Sequence, residues 1–428
     1  MRKKVEMLGK MKILENKSGF PVSDVICISK RDGNKKRPYL ILNKLQAKYI
    51  PVHPSETIDM FANLGSQIDL GEEDVACPMN IIVVGFAETA TAIGAEVASV
   101  VQDRYPSYNV TFLPTTREVY DVGPDGKEPD KIEFTEDHSH AVEQILYANK
   151  ELLKSASYII FAEDEVTTGN TICHCVEKLK TMTDARYIVD SLMNCMDKDE
   201  MQKFKELDIS AYWLIKTDKG GFDEYVTEYD VSDEIEMSEA YDNARFNIKE
   251  TDVVYNKFDY TSDNILSNVE GEEVLPKYCI INNPRFGVNV RSYRTRCNKI
   301  AYNISRSDSV INRIKELGKK ITDTKILCIG TEECMYPAIV LAKAFEKIGA
   351  DSYVQATTRV PTCVHVAGEE TLKNRYTIDS MYGDRVNYIY NLDRYDSVFV
   401  VTDGKKSPNK LIDVLKFFKN KDISVVYV

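Results

Sequence analysis

Tyr158-Ile-Ile-Phe-Ala-Glu163-Asp164-Glu165-Val166-Thr167-Thr168-Gly169-Asn170-Thr171 is the stretch on which the reading of this chain turns. Its first five residues form a short apolar run, the signature of a buried strand over 157–163, closed by Glu163 and Asp164. A Thr/Gly turn follows, and residues from about 170 to 181 have helical spacing. Ligands of open α/β sheets sit at the carboxyl ends of strands. A helix start behind such a turn offers backbone N–H groups and hydroxyls to a phosphate. Two acids just before it can accept hydrogen bonds from vicinal ribose hydroxyls, or hold Mg²⁺ through its waters. The plainer alternative is a strand end followed by an ordinary Thr-capped helix.

The surrounding sequence has the same rhythm. Residues 81–86, 109–116, 186–194 and 209–217 read as strands, and 89–102 and 139–155 as helices. Such alternation predicts a parallel sheet covered on both faces. The second half repeats it, with strands at 325–330, 351–358, 395–404 and 423–428 and helices at 337–349 and 409–421. Three landmarks recur in order. Gly85 and Glu88 match Gly330 and Glu333, Thr115-Thr116-Arg117 matches Thr357-Thr358-Arg359, and Asp164 matches Asp403, which predicts a tandem α/β duplication. The expected division is 1–214, an acidic linker or insertion over 215–275, and 276–428.

Other segments carry charge or small residues. Gly85-Phe86-Ala87-Glu88-Thr89 follows an apolar strand, and its Gly spacing is not that of a dinucleotide fingerprint. After Arg117 come about twenty polar residues containing Lys127 and Lys131, a length that marks a functional loop. His138 and His140 flank Ser139, so either a ligand role or solvated His beside a helix cap fits. Arg31, Lys35, Lys36 and Arg37 form a basic turn, and Arg285 to Arg296 carries four Arg in twelve residues.

The Glu163–Thr171 stretch resembles the signature of type I phosphoribosyltransferases, which bind 5-phosphoribosyl-1-pyrophosphate (PRPP): apolar residues, two acids, then T-T-G-x-T. Glu165 and the extra apolar Ala162 depart from that pattern. More of the chain resembles phosphoribosyltransferases fused to a C-terminal TRSP domain, a group associated with tellurium-resistance stress operons. The resemblance rests on KRPYLILNKLQAKYIPV, GFAETATAIG, PTTRE, EDHSHA and AEDEVTTGNT. In the second half it rests on GTEECMYPAIVLAKAFE, QATTR, YIYNL and YDSVFVVTDG.

It implies a cytoplasmic enzyme that moves a phosphoribosyl group from PRPP to an unidentified base-like or small-molecule acceptor and releases pyrophosphate. It also implies Mg²⁺, held by Asp164, and a homodimer. By the same resemblance Glu163 and Asp164 bind the ribose hydroxyls, and Thr167, Thr168, Gly169, Asn170 and Thr171 the 5-phosphate. Gly85 to Thr89 form the pyrophosphate loop. Arg117 grips pyrophosphate, and the loop from 118 to 137 closes over the site, with Lys127, His138 and His140 as hood or acceptor candidates. The second half replaces the acids and Thr-rich turn with Val401-Thr402-Asp403-Gly404-Lys405. It is either a decayed copy or a second anion site built from Glu333, Arg359 and Asp403. The alternative function is a PRPP- or nucleotide-sensing regulator without turnover.

Composition narrows the classes. The net charge of −12 lies in residues 221–280, which hold 16 acids and 4 bases, so the balanced remainder lacks the mark of a nucleic-acid binder. No apolar stretch nears the roughly 20 residues of a membrane helix. The first ten residues are too charged for a secretory signal. Ten Cys without paired spacing read as free thiols.

Overall fold

The computed structural model describes residues 6–8, 11–32, 38–134, 144–220, 254–259, 283–364, 372–420 and 422–428. The chain is α/β and forms two compact units. The first is Met1–Val22, Ile58–Gly221 and Ile280–Thr295; the second is Ser23–Thr57, Phe222–Cys279 and Arg296–Val428. Against the expected division, residues 23–57 lie in the second unit and 280–295 in the first, and the segment expected as a separate linker is split between the two units at 221/222. Most of the acidic segment is outside the described residues.

The first unit is built on an eight-stranded sheet. Its strands are β1 (Glu6–Leu8), β2 (Met11–Asn16), β5 (Asn80–Gly85), β6 (Asn109–Phe112), β9 (Tyr158–Val166), β10 (Arg186–Asn194), β11 (Ile209–Thr217) and β13 (Val288–Asn289). The order is β1-β2-β11-β10-β9-β5-β6-β13. The five inner strands are parallel, while β2 and β13 add antiparallel at the two sides. The near-continuous Ile/Val/Phe runs of β5 and β9 are buried, as strands covered on both faces must be. The Thr91–Arg104 helix lies hard against β5 through two glycines. A Cβ on Gly85 would stand 2.5 Å from the Ala90 carbonyl oxygen, and one on Gly94 2.7 Å from the Gly85 Cα. A smaller hairpin pairs β7 (Ile132–Phe134) with β8 (Gln144–Leu146).

Residues 139–155 were expected to be one helix. Ile145 is instead a strand residue, exchanging both backbone hydrogen bonds with Thr116 at 2.8 Å. The helix there spans Lys150–Ser155 and starts where the Asn149 side chain accepts the Glu151 N–H.

The second unit has a five-stranded parallel sheet, β12-β19-β18-β14-β15. Its strands are β12 (Val254–Asp259), β14 (Lys325–Gly330), β15 (Asp351–Ala356), β18 (Ser397–Thr402) and β19 (Asp422–Tyr427), beside an antiparallel pair of β16 (Arg375–Asp379) and β17 (Val386–Tyr390). Leu327, Ile329, Val398, Val400, Leu411 and Ile423 belong to one core cluster. Residues 23–57 join this unit through the hairpin of β3 (Ile26–Lys30) and β4 (Tyr39–Asn43). Leu42 and Tyr49 pack with Leu372 and Tyr390. Val52 pairs with Val354, and the Ser29 and Thr362 hydroxyls meet at 2.7 Å. Burial of these apolar residues, which local sequence cannot reveal, is what takes the segment into the second unit.

Candidate active site

Numbered along the chain, the five parallel strands of the first unit lie in the order 2-1-3-4-5. In such sheets the crevice opens between the first and third strands, where the connections diverge. Here those strands are β5 and β9, with Gly85 opposite Ala162. At that rung the two strands run about 4.8 Å apart, and β9 continues four residues past it before its loop begins. The loops that leave them are the two singled out in the sequence.

β9 runs to Val166, three residues beyond the expected end, so Glu163, Asp164 and Glu165 stand on the strand itself, just before its last residue. Glu163 lies opposite Ser191 and Glu165 opposite Met193. All three acids are half-buried, and the turn after them keeps Thr167, Thr168, Asn170 and Thr171 partly exposed. Asp164 Oδ1 accepts the Glu165 N–H at 3.0 Å. Gly169 caps the Asn170–Leu179 helix in the left-handed region at φ 72°. A Cβ there would fall 2.5 Å from Phe204 Cε1.

Phe204 belongs to the Lys198–Glu206 helix, whose start is fixed by a capping box between Asp197 and Glu200. From the same helix Lys203 Nζ donates to Asn170 Oδ1 at 3.2 Å, placing a cation beside the turn. The Asp197-to-Glu200 spacing is the sequence signal of that helix, which the sequence reading did not take up, and nothing in the sequence placed Lys203 and Phe204 against the turn. Lys216, at the end of β11, donates to Asn194 Oδ1 and the Met196 carbonyl, and burial lowers its ammonium from the ordinary range.

Gly169→Ala combines a left-handed backbone cost of about 1–2 kcal/mol with the overlap on Phe204. We expect at least tenfold weaker ribose 5-phosphate binding by calorimetry and a lower Tm. Adding Phe204→Leu relieves the overlap alone and recovers part of the Tm. Unchanged affinity in Gly169→Ala would remove the turn from the site.

The loop after β5 is tied to the next arm. Ala87 N–H donates to Thr115 Oγ1 at 2.8 Å, and Thr115 N–H donates to the Gly85 carbonyl at 3.0 Å. The Thr115 hydroxyl in turn donates to Gln144 Oε1. Phe86 points inward and stacks on Phe161 at 5.7 Å. Glu88 is buried and Thr89 partly exposed. Arg117 emerges half-buried directly after the buried Thr116. Lys127 sits on an exposed turn closed by Gly123, and Lys131 pairs with Glu133 at 2.8 Å. His138 and His140 lie outside the described residues. Glu163 and Asp164 supply the hard oxygen donors that suit Mg²⁺, which usually takes only one or two carboxylates and completes its shell with water and substrate phosphates. Among the described residues no three His, Cys, Asp or Glu cluster as a self-sufficient metal site.

The second unit repeats this geometry with different chemistry. Gly330 lies opposite Val401, so Thr402 stands at the rung that Glu163 holds in the first unit, and Asp403 follows just past the end of its strand. The Glu332 N–H donates to Thr357 Oγ1 at 2.9 Å, as Ala87 does to Thr115. Glu332, unread in the sequence, takes the Ala87 position. Its fully buried carboxylate accepts from Arg359 Nε at 2.8 Å, Ser380 Oγ at 2.7 Å and the Met381 N–H at 3.1 Å. Asp403 accepts from the Tyr382 hydroxyl. Of the expected trio Glu333, Arg359 and Asp403, the arginine is thus committed to Glu332 and the aspartate to Tyr382.

Asp190 of β10 lies on the Ala162 rung and is fully buried. Neither carboxylate oxygen has a hydrogen-bond partner among the described residues. Burial pushes its carboxyl well above the ordinary range. The folded state therefore holds a proton that the unfolded chain releases, and stability falls as pH rises above the ordinary carboxyl range. Asp190→Asn is expected to raise Tm by several degrees at pH 8 and to leave it unchanged near pH 3.5. A Tm change of the same size at both pH values would contradict the assignment.

Residues 26–217 match the family model described as phosphoribosyl transferase, and residues 282–418 match that described as the TRSP domain C-terminal to it. Several solved structures are similar to the chain. An adenine phosphoribosyltransferase from Rhodothermus marinus has 10% identity over 45% of this chain and 95% of its own, with TM-score 0.31. The Giardia lamblia enzyme complexed with 9-deazaadenine has 12% over 44% and 92%, with TM-score 0.29. The Trypanosoma brucei enzyme in complex with AMP, pyrophosphate and ribose-5-phosphate has 11% over 44% and 76%, with TM-score 0.29. Likenesses at this level add nothing to the strand order given above. No curated protein matches the chain. Among the described residues no helix is long and apolar enough to cross a membrane.

Proposed function

Because residues 26–217 belong to the phosphoribosyl transferase family and residues 282–418 to the TRSP domain that follows it, we propose that this enzyme uses PRPP at the β5/β9 crevice. The reaction is displacement at the ribose anomeric carbon. The bond from C1 to the pyrophosphate oxygen breaks, a bond from C1 to an acceptor nitrogen, oxygen or carbon forms, and the acceptor loses a proton. The observation that carries the reading is the end of β5 lying beside the paired acids of β9, with an open Thr/Gly turn after that strand.

The amides and hydroxyls of residues 167–171 bind the 5-phosphate, and Glu163 and Asp164 accept from the ribose hydroxyls. The loop after β5 faces the pyrophosphate, and Arg117 supplies a bidentate grip on it as it leaves. Mg²⁺, with Asp164 as its candidate protein ligand, neutralises pyrophosphate charge when bound. The second unit is read as a related fold whose arginine has been claimed by Glu332, so it serves binding of the acceptor or assembly and not PRPP chemistry.

The test is pyrophosphate release from PRPP with Mg²⁺ across a panel of nucleobases and small amines. We expect at least one acceptor to drive release. Tight PRPP binding with no release for any acceptor would support the sensing alternative and contradict transfer.

A further inference from the structure

The TRSP match begins at residue 282, yet residues 280–295 fold in the first unit. There β13 adds antiparallel to β6, Val288 opposite Phe112 and Asn289 opposite Thr111. Arg294 grips Asp103 with both terminal nitrogens, at 2.6 and 2.8 Å. Just upstream, Asn283 Oδ1 accepts the Arg285 N–H at 3.0 Å and starts a short turn over Pro284–Phe286. The Phe286 ring lies 5.3 Å from both Tyr120 and Tyr147.

This segment meets the arm that carries Arg117. The Arg285 side chain is only 2% exposed, and its Nε donates to Thr116 Oγ1 at 3.3 Å. That same oxygen accepts the Glu118 N–H at 3.0 Å. The Tyr147 hydroxyl donates to the Glu118 carbonyl at 3.3 Å and accepts the Tyr120 N–H at 2.8 Å. The backbone on both sides of Arg117 is thus held by Thr116, Tyr147 and the residues packed on them. Burying a guanidinium costs several kcal/mol of desolvation, so a hydrophobic residue would serve better if packing were its whole task.

We propose that Arg285 is a positioning residue for Arg117, contributed by the TRSP-matching sequence to the phosphoribosyltransferase unit. Its hydrogen bond to Thr116 fixes the arm from which the Arg117 side chain reaches the leaving pyrophosphate. The inference rests on the function proposed above.

The test uses the full-length chain, with inorganic pyrophosphate plus Mg²⁺ and ribose 5-phosphate as separate calorimetric probes. Arg285→Gln is expected to weaken pyrophosphate at least tenfold while ribose 5-phosphate stays within twofold, and Arg285→Lys to restore part of the loss. Should Arg285→Gln fail to fold, Thr116→Val deletes the acceptor oxygen and is expected to give the same selective loss. Equal losses for the two probes, or none, would overturn the positioning role. Wild-type protein that takes up neither probe would instead sink the reading of the site itself.

Discussion

Replacing Glu163 by Gln together with Asp164 by Asn is expected to weaken PRPP binding at least a hundredfold while leaving the fold intact. On the proposed placement each carboxylate accepts a charge-assisted hydrogen bond from a ribose hydroxyl, worth about 1.5–3 kcal/mol. Two such losses amount to a factor of roughly a hundred or more. Both acids are half-buried at the open end of β9, so neutral isosteres leave no buried charge behind and Tm moves little. Calorimetry with PRPP and Mg²⁺, with a melting curve beside it, reads both quantities. Unchanged affinity in a folded variant would place the ribose elsewhere.

Arg117→Ala is expected to lower the rate of pyrophosphate release by about 10²–10³-fold, the usual cost of deleting a donor aimed at developing negative charge. Ribose 5-phosphate binding stays within a few-fold, because the turn at 167–171 is carried by another strand. Release rates at saturating acceptor, compared with ribose 5-phosphate affinity, separate the two roles. If both fall together, Arg117 holds the arm in place and does not grip the leaving group.

The parts of the fold that local pattern encodes were legible. β10 and β11 occupy the spans their apolar runs mark, and the helix after Gly169 begins at Asn170, as the Thr/Gly turn implies. What depends on distant partners was not legible. Residues 23–57 carry no local sign of their partners, and contacts such as Leu42 and Tyr49 against Leu372 and Tyr390, and Val52 paired with Val354, assign them to the second unit. Ile145 sits in a stretch with helical spacing but pairs with Thr116, as strand pairing overrides local preference. Glu333 caught attention because it repeats Glu88, whereas the carboxylate that engages Arg359 is Glu332. Arg285 read as one of a basic strip, and nothing in its neighbourhood announces that it is buried against Thr116. Asp190 lies inside a strand that is buried from Tyr187 onward, so sequence marks it only as a polar residue out of place.

The account stands on one placement: the sugar phosphate of PRPP over the amides of residues 167–171 and its hydroxyls at Glu163 and Asp164. A crystal structure of the full-length chain with PRPP and Mg²⁺ tests it most directly. The account predicts ligand density at the carboxyl ends of β5 and β9, with the pyrophosphate toward Arg117. Density confined to the second unit, beside Asp403 and Arg359, would contradict it.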